Sequence, residues 1–175
     1  MLAELAPALH LFKPLKITPL LLAIRSFFVA PATPAEAAAP DSRLLSDDIP
    51  LNILVVEDNA VNRNVALGQL RRLGYQADSA MNGLEAIHAL EKLDYDLVLM
   101  DLQMPAMGGL EATGELRRRL PSERQPCIIA ITANALVGER EACRAAGMND
   151  YLTKPLKLDV LAAAIRRNFA PKAAD

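Results

Sequence analysis

The 175 residues contain no tryptophan, only three tyrosines and four phenylalanines, and a formal net charge of −2. Nucleic acids are held by clustered Lys and Arg that neutralise phosphates and by aromatic rings that stack on bases. Neither resource is available, so a direct nucleic-acid partner is excluded. Cysteine is equally scarce. Cys127 and Cys143 have no CxxC spacing and no neighbouring His, which argues against a metal site or redox pair and leaves two reduced, partly buried thiols as the expectation. Long apolar runs are missing too. The stretch at 17–30 is interrupted by Pro19 and Arg25, short of the roughly 18 apolar residues that span a bilayer. The long segment before it, with Glu4, does not fit a signal peptide. The chain is expected to be cytoplasmic, with no membrane segment of its own; a membrane-attached parent protein is compatible with that.

What is present is a chain that is 52% hydrophobic and 23% charged, enough for one full core plus extra segments. Residues 29–50, rich in Pro, Ala, Ser and Asp, bury too little apolar surface to offset the entropy of ordering and read as a linker. Beyond it, short β-branched runs alternate with helical patterns. Expected strands lie at 52–57, 75–80, 97–101, 127–132 and 151–153. Each is followed by an amphipathic stretch; the first, capped by Asn59, carries Val61, Val65, Leu67, Leu70 and Leu73 and stops at Gly74. Five β/α units result. Uninterrupted apolar strands such as Leu97-Val98-Leu99-Met100 are buried on both faces, which predicts an α/β fold with a doubly wound parallel sheet flanked by helices.

In such a sheet the working residues sit at the carboxyl ends of the strands. There stand Glu57 and Asp58, Asp101, Thr132 and, just past the fifth strand, Lys154. Three converging carboxylates repel one another and need a cation. Mg2+ suits them, because it takes a few oxygens and keeps room for water and a phosphate oxygen. Asp58 and Asp101 are the expected direct ligands, Glu57 a ligand directly or through water, and the backbone carbonyl of Gln103 a further candidate. Phosphoryl transfer needs positioning and charge neutralisation more than a base. Asp101 is then the nucleophile that becomes an acyl phosphate, Lys154 a point charge, and the Thr132 hydroxyl a donor to the arriving phosphoryl group.

These residues, with Asp101-Leu102-Gln103-Met104-Pro105 and Lys154-Pro155, resemble the receiver domain of two-component response regulators. The phrases Val56-Glu57-Asp58-Asn59 and Ile131-Thr132-Ala133-Asn134-Ala135 are most similar to receivers of hybrid histidine kinases. The resemblance covers residues 52–169. It implies a flavodoxin-like (CheY-like) five-stranded parallel sheet of order 2-1-3-4-5 with five helices. It implies a phosphohistidine donor on a sensor kinase or histidine phosphotransfer domain, with a second receiver as a further candidate partner. It also assigns Thr132 and Tyr151 to a conformational switch, and Gln103 and Asn134 to setting the lifetime of the phosphate. Gly108 departs from the pattern, since many relatives carry Asp there. On this reading the isolated chain is a self-phosphorylating acceptor and not a metabolic enzyme, while its parent is a hybrid kinase. Only Ala170 to Asp175 follow the last helix, so output is expected through contacts.

Shifting the chain by 141 positions places Lys13 on Lys154 and Phe28 on Phe169, with 10 of 18 residues identical between 11–28 and 152–169. Residues 1–28 therefore read as the last strand and helix of a preceding receiver, followed by the linker at 29–50, a receiver domain at 51–170 and a tail at 171–175. Two other classes compete. A haloacid-dehalogenase-like phosphatase would place a second Asp two residues after the nucleophile, where this chain has Gln103. A binding-only pseudo-receiver would lack one of the acidic, Thr or Lys positions, all of which are filled.

Overall fold

A computed structural model describes residues 43–133 and 137–169. All of them fall in one compact unit beginning at Arg43. The repeat at 11–28, the tail at 171–175 and Asn134 lie outside the described residues.

Five parallel strands form the sheet: β1 (Ile53–Val56), β2 (Ala77–Ala80), β3 (Leu97–Asp101), β4 (Cys127–Thr132) and β5 (Asp150–Thr153), in the order β2-β1-β3-β4-β5. Helices α1 (Ala60–Arg72), α2 (Gly83–Lys92), α3 (Gly109–Arg119), α4 (Val137–Ala146) and α5 (Leu158–Phe169) follow the strands in turn. This is the expected order. One short 3-10 turn, Ser122–Arg124, leads into β4.

Side chains alternate faces along a strand, and that alternation divides the core in two. Ile53, Val55, Leu97, Leu99, Ile129 and Ile131 pack with Ala66 and Leu70 of α1 and with Leu161 and Ile165 of α5. Leu54, Val56, Val98, Met100, Ile128 and Ala130 pack with Ile87 of α2, Leu116 of α3 and Cys143 of α4. Every residue of β1 and β3 is buried, as strands covered on both faces must be. Their apolar runs carry no helical period for that reason.

The caps set where the helices start. Asn59 Oδ1 accepts from the N–H groups of Val61 and Asn62 at 2.9 and 3.2 Å, as its position before the apolar pattern predicts. Gly108 stands at the N-cap of α3 and offers no side chain to cap it.

Two expectations are corrected. The stretch read as linker at 29–50 contains a helical turn, Leu45–Asp48, whose Leu45 is only 5% exposed and belongs to the core. The N–H of Ser46 donates to Leu73 O at 3.1 Å, and Tyr75 Oη donates to Ile49 O at 2.8 Å. The polar average of the segment hides two apolar anchors, Leu45 and Ile49. The apolar stripe of α1 also differs: Val61 and Val65 are 70% and 42% exposed, while Ala66 is buried.

Candidate functional site

Where the sheet order reverses, β1 and β3 lie side by side with Val56 opposite Met100. The residues that follow, Glu57 and Asp101, are therefore level at the sheet edge. Both are buried, at 2% and 3% exposure. Next to them Thr132 and Thr153 pair across β4 and β5, and the N–H of Lys154 donates to Thr132 O at 2.8 Å. The backbone thus delivers Lys154 to the acidic pair. Its Nζ lies 2.7 Å from Glu57 Oε2 and 2.8 Å from Asp101 Oδ2.

One ammonium between two buried carboxylates does not balance them. Burial pushes the Asp101 carboxyl above the usual carboxylate range; the hydrogen bonds from Lys154 and from the N–H of Gln103 pull it back, and the charge of Glu57 adds to the rise. For Lys154, burial acts downward, yet the hydrogen bonds to Asp101 and Glu57 prevail and hold its ammonium above the ordinary lysine value.

Asp58 completes the acidic group from the exposed side of the loop. Among the described residues, Glu57, Asp58 and Asp101 each offer a carboxylate oxygen within 4.8 Å of the others. Three carboxylates against one ammonium leave two negative charges, and an all-oxygen set of that deficit fits a hard divalent cation. Mg2+ therefore fits the residues present. Gln103 sits on the exposed loop after β3, with its N–H on Asp101 Oδ1 at 3.3 Å.

Several residues that the sequence reading passed over build this site. Glu57 Oε1 accepts from Asn62 Nδ2 at 3.1 Å and from the N–H of Asn59 at 3.3 Å, so both its oxygens have protein donors. Arg63 donates to the carbonyls of Glu57 and Asp58 at 2.9 and 3.2 Å and fixes the loop that presents them. Gly109 lies under the phosphoacceptor candidate: a Cβ there would stand 2.2 Å from Asp101 O. The switch candidates are held from α4. Thr132, 5% exposed, donates its hydroxyl to Glu139 Oε2 at 2.7 Å, and the Arg140 guanidinium carbon lies 4.5 Å from the centroid of the half-buried Tyr151 ring. Met104 and Met107 are partly buried against the core. Burial raises both thiols, that of Cys127 to about 11, which keeps them protonated and unreactive at neutral pH.

A sequence model described as the response regulator receiver domain matches residues 53–166. The chain belongs to that family. Receivers take a phosphoryl group on an aspartate, and this one is a receiver domain of phosphorelay signalling. The hybrid signal transduction histidine kinase G of Dictyostelium discoideum is 44% identical over 119 residues, 67% of this chain and 4% of that protein. The aerobic respiration control sensor protein ArcB of Escherichia coli K12 is 42% identical over 137 residues, 77% of this chain and 18% of that protein. This receiver thus spans only a small part of those relatives. Among solved structures, the receiver domain of sensor histidine kinase PA1611 from Pseudomonas aeruginosa PAO1 has a magnesium ion coordinated in its active-site cleft. It shares 45% identity at a TM-score of 0.62, covering 67% of this chain and 95% of that one. The complex of the Saccharomyces cerevisiae phosphotransfer protein Ypd1 with the receiver domain of Ssk1 matches at 31% identity and a TM-score of 0.62, over 67% of this chain and 88% of that one. Among the described residues no helix is long and apolar enough to cross a membrane.

Proposed function

We propose that Asp101 is the phosphoacceptor of this receiver, that Glu57, Asp58 and Asp101 with the Gln103 carbonyl hold Mg2+, and that the phosphoryl donor is a phosphohistidine. The single observation that carries this is the buried Asp101 carboxylate at the sheet edge, paired with Lys154 at 2.8 Å and grouped with two further carboxylates. An Asp101 carboxylate oxygen forms the new O–P bond as the P–N bond of phosphohistidine breaks. The electron pair leaves on the imidazole nitrogen, which takes up one proton from solvent. Lys154, already between the two carboxylates, is placed to meet a phosphoryl oxygen, and the Thr132 hydroxyl, which donates to Glu139 in this structure, would turn to another. Bound Mg2+ would supply the positive charge that the carboxylates and phosphoryl oxygens jointly lack.

The isolated chain is then a phosphoacceptor whose own side chains promote transfer and hydrolysis, not a turnover enzyme. Its parent is a hybrid histidine kinase, and its partners are that kinase and a histidine phosphotransfer domain, by likeness to the relatives that carry such receivers and to the Ypd1–Ssk1 complex. A second receiver is a further partner, and the location is the cytoplasm. Gln103 and Asn134 adjust how long the phosphate survives.

Incubation with acetyl phosphate and Mg2+, followed by intact-mass spectrometry, tests the reading. One hydroxylamine-labile phosphoryl adduct is expected on wild type, none on Asp101→Asn or without metal, and a reduced yield on Lys154→Ala. Equal labelling of wild type and Asp101→Asn would remove Asp101 from its role. No adduct under any condition would make the domain a binding-only module.

A further inference from the structure

Glu139 and Arg140, consecutive residues in the first turn of α4, contact both switch side chains. A threonine hydroxyl has one proton to donate. That of Thr132 goes to Glu139 Oε2 at 2.7 Å, in the range of a charge-assisted O–H···O⁻ bond, and Thr132 is nearly inaccessible to water. A phosphoryl group on Asp101 can receive this proton only after Glu139 gives it up. The two acceptors compete for one donor. Arg140 acts on the other switch residue: its guanidinium carbon stands 4.5 Å from the Tyr151 ring centroid, inside the range of cation–π attraction, and both residues line the cavity between α4 and β5. Inward rotation of the ring would break that contact.

We propose that Glu139 and Arg140 are positioning residues that hold Thr132 and Tyr151 in the unphosphorylated arrangement, so that the first turn of α4 sets the threshold for switching. The two contacts share one helical turn, so a displacement of α4 releases both together. The inference rests on the reading of Asp101 as phosphoacceptor. It predicts that weakening the contacts makes the domain easier to switch, whereas loss of merely structural contacts would not favour the liganded state.

The test uses the full chain with 3-fluorotyrosine in place of its three tyrosines, titrated with beryllofluoride in the presence of Mg2+ and followed by fluorine NMR. Apparent affinity scales with the fraction of molecules already in the competent arrangement. Glu139→Ala is expected to bind beryllofluoride roughly tenfold tighter than wild type, the scale of a charge-assisted hydrogen bond. Glu139→Gln, which keeps an acceptor but no charge, is expected between them, and it decides the matter if the alanine variant does not fold. Arg140→Ala should tighten binding about two- to fivefold and move the Tyr151 resonance toward its liganded position before any ligand is added. Wild type that binds while the folded Glu139 variants bind equally or more weakly would overturn the latch and leave the phosphoacceptor reading standing. Wild type that takes neither beryllofluoride nor the acetyl phosphate label would overturn both.

Discussion

Asp101 is buried with its carboxylate on Lys154, and its own carbonyl oxygen lies against α3. Gly109 makes that second approach feasible: a Cβ there would come within 2.2 Å of Asp101 O and 2.9 Å of Met100 Cγ, distances that real side chains do not reach. Gly109→Ala must therefore push α3 or the end of β3 away. Overpacking of this kind costs about 1–3 kcal/mol, and here the displaced atoms include the backbone of Asp101, the proposed phosphoacceptor. The expected result is a lower melting temperature together with slower labelling by acetyl phosphate; unchanged values of both would mean that α3 shifts without disturbing Asp101. The same residue shows what could be read beforehand. Glu57, Asp58, Asp101 and Lys154 were legible because each stands where an apolar strand stops, and the topology gathers strand ends. Asn62, Arg63 and Glu139 were not. Each is an ordinary polar residue on a helix, and its contact depends on the rotation of that helix about its axis, which sequence spacing alone leaves open. Asn62 and Arg63 did carry one signal, their place in the first turn after the acidic pair.

At the scale of elements, α1 shows why the existence of a helix was easier to read than its buried face. Successive residues turn by about 100°, so Val61 and Val65 lie well round the helix from Ala66 and Leu70, which face the sheet. Valine is the more hydrophobic side chain, but a close helix–sheet contact favours the small alanine. The segment before β1 shows the converse. Leu45 is buried in the same core cluster as Tyr75, Leu70 and Ile165, and Gly74, at φ 96°, leaves room for Ser46, whose Oγ would meet a Cβ there at 2.1 Å. Residues 43–50 are thus part of the folded domain. Leu45→Ala is expected to cost about 2–3 kcal/mol, the lower part of the range for emptying a buried leucine site, with labelling of Asp101 unchanged. Thermal unfolding and the mass assay read the two effects separately, and an unaltered melting temperature would return this segment to the linker.

At the scale of the whole folded domain, polar contacts add to the two-faced core, and two tyrosines supply two of them. Tyr75 Oη donates to Ile49 O at 2.8 Å, tying the amino-terminal turn to the domain, and Tyr95 Oη donates to Asp78 Oδ2 at 2.8 Å, tying the loop before β3 to edge strand β2. Both phenols are pushed up from 10.0 to about 12. Burial is the main cause in each; the charge of Arg166 opposes it at Tyr75, and the hydrogen bond to Asp78 adds to it at Tyr95. An unfolded chain ionises its tyrosines near 10, so alkali stabilises the unfolded state first. The contribution of these two residues is therefore complete below pH 10 and is lost as the pH rises through about 12. Cys127, raised from 9.0 to about 11, Cys143, raised by burial, and Lys154, raised by its carboxylates, act with the same sign. Urea unfolding between pH 8 and 12 should show stability falling steeply above pH 10. In the double variant Tyr75→Phe, Tyr95→Phe, stability at pH 8 should drop by about 1 kcal/mol for each lost hydrogen bond, while the alkaline slope becomes shallower and retains the part due to Cys127, Cys143 and Lys154. A slope equal to that of wild type would show that the phenols do not govern alkaline unfolding.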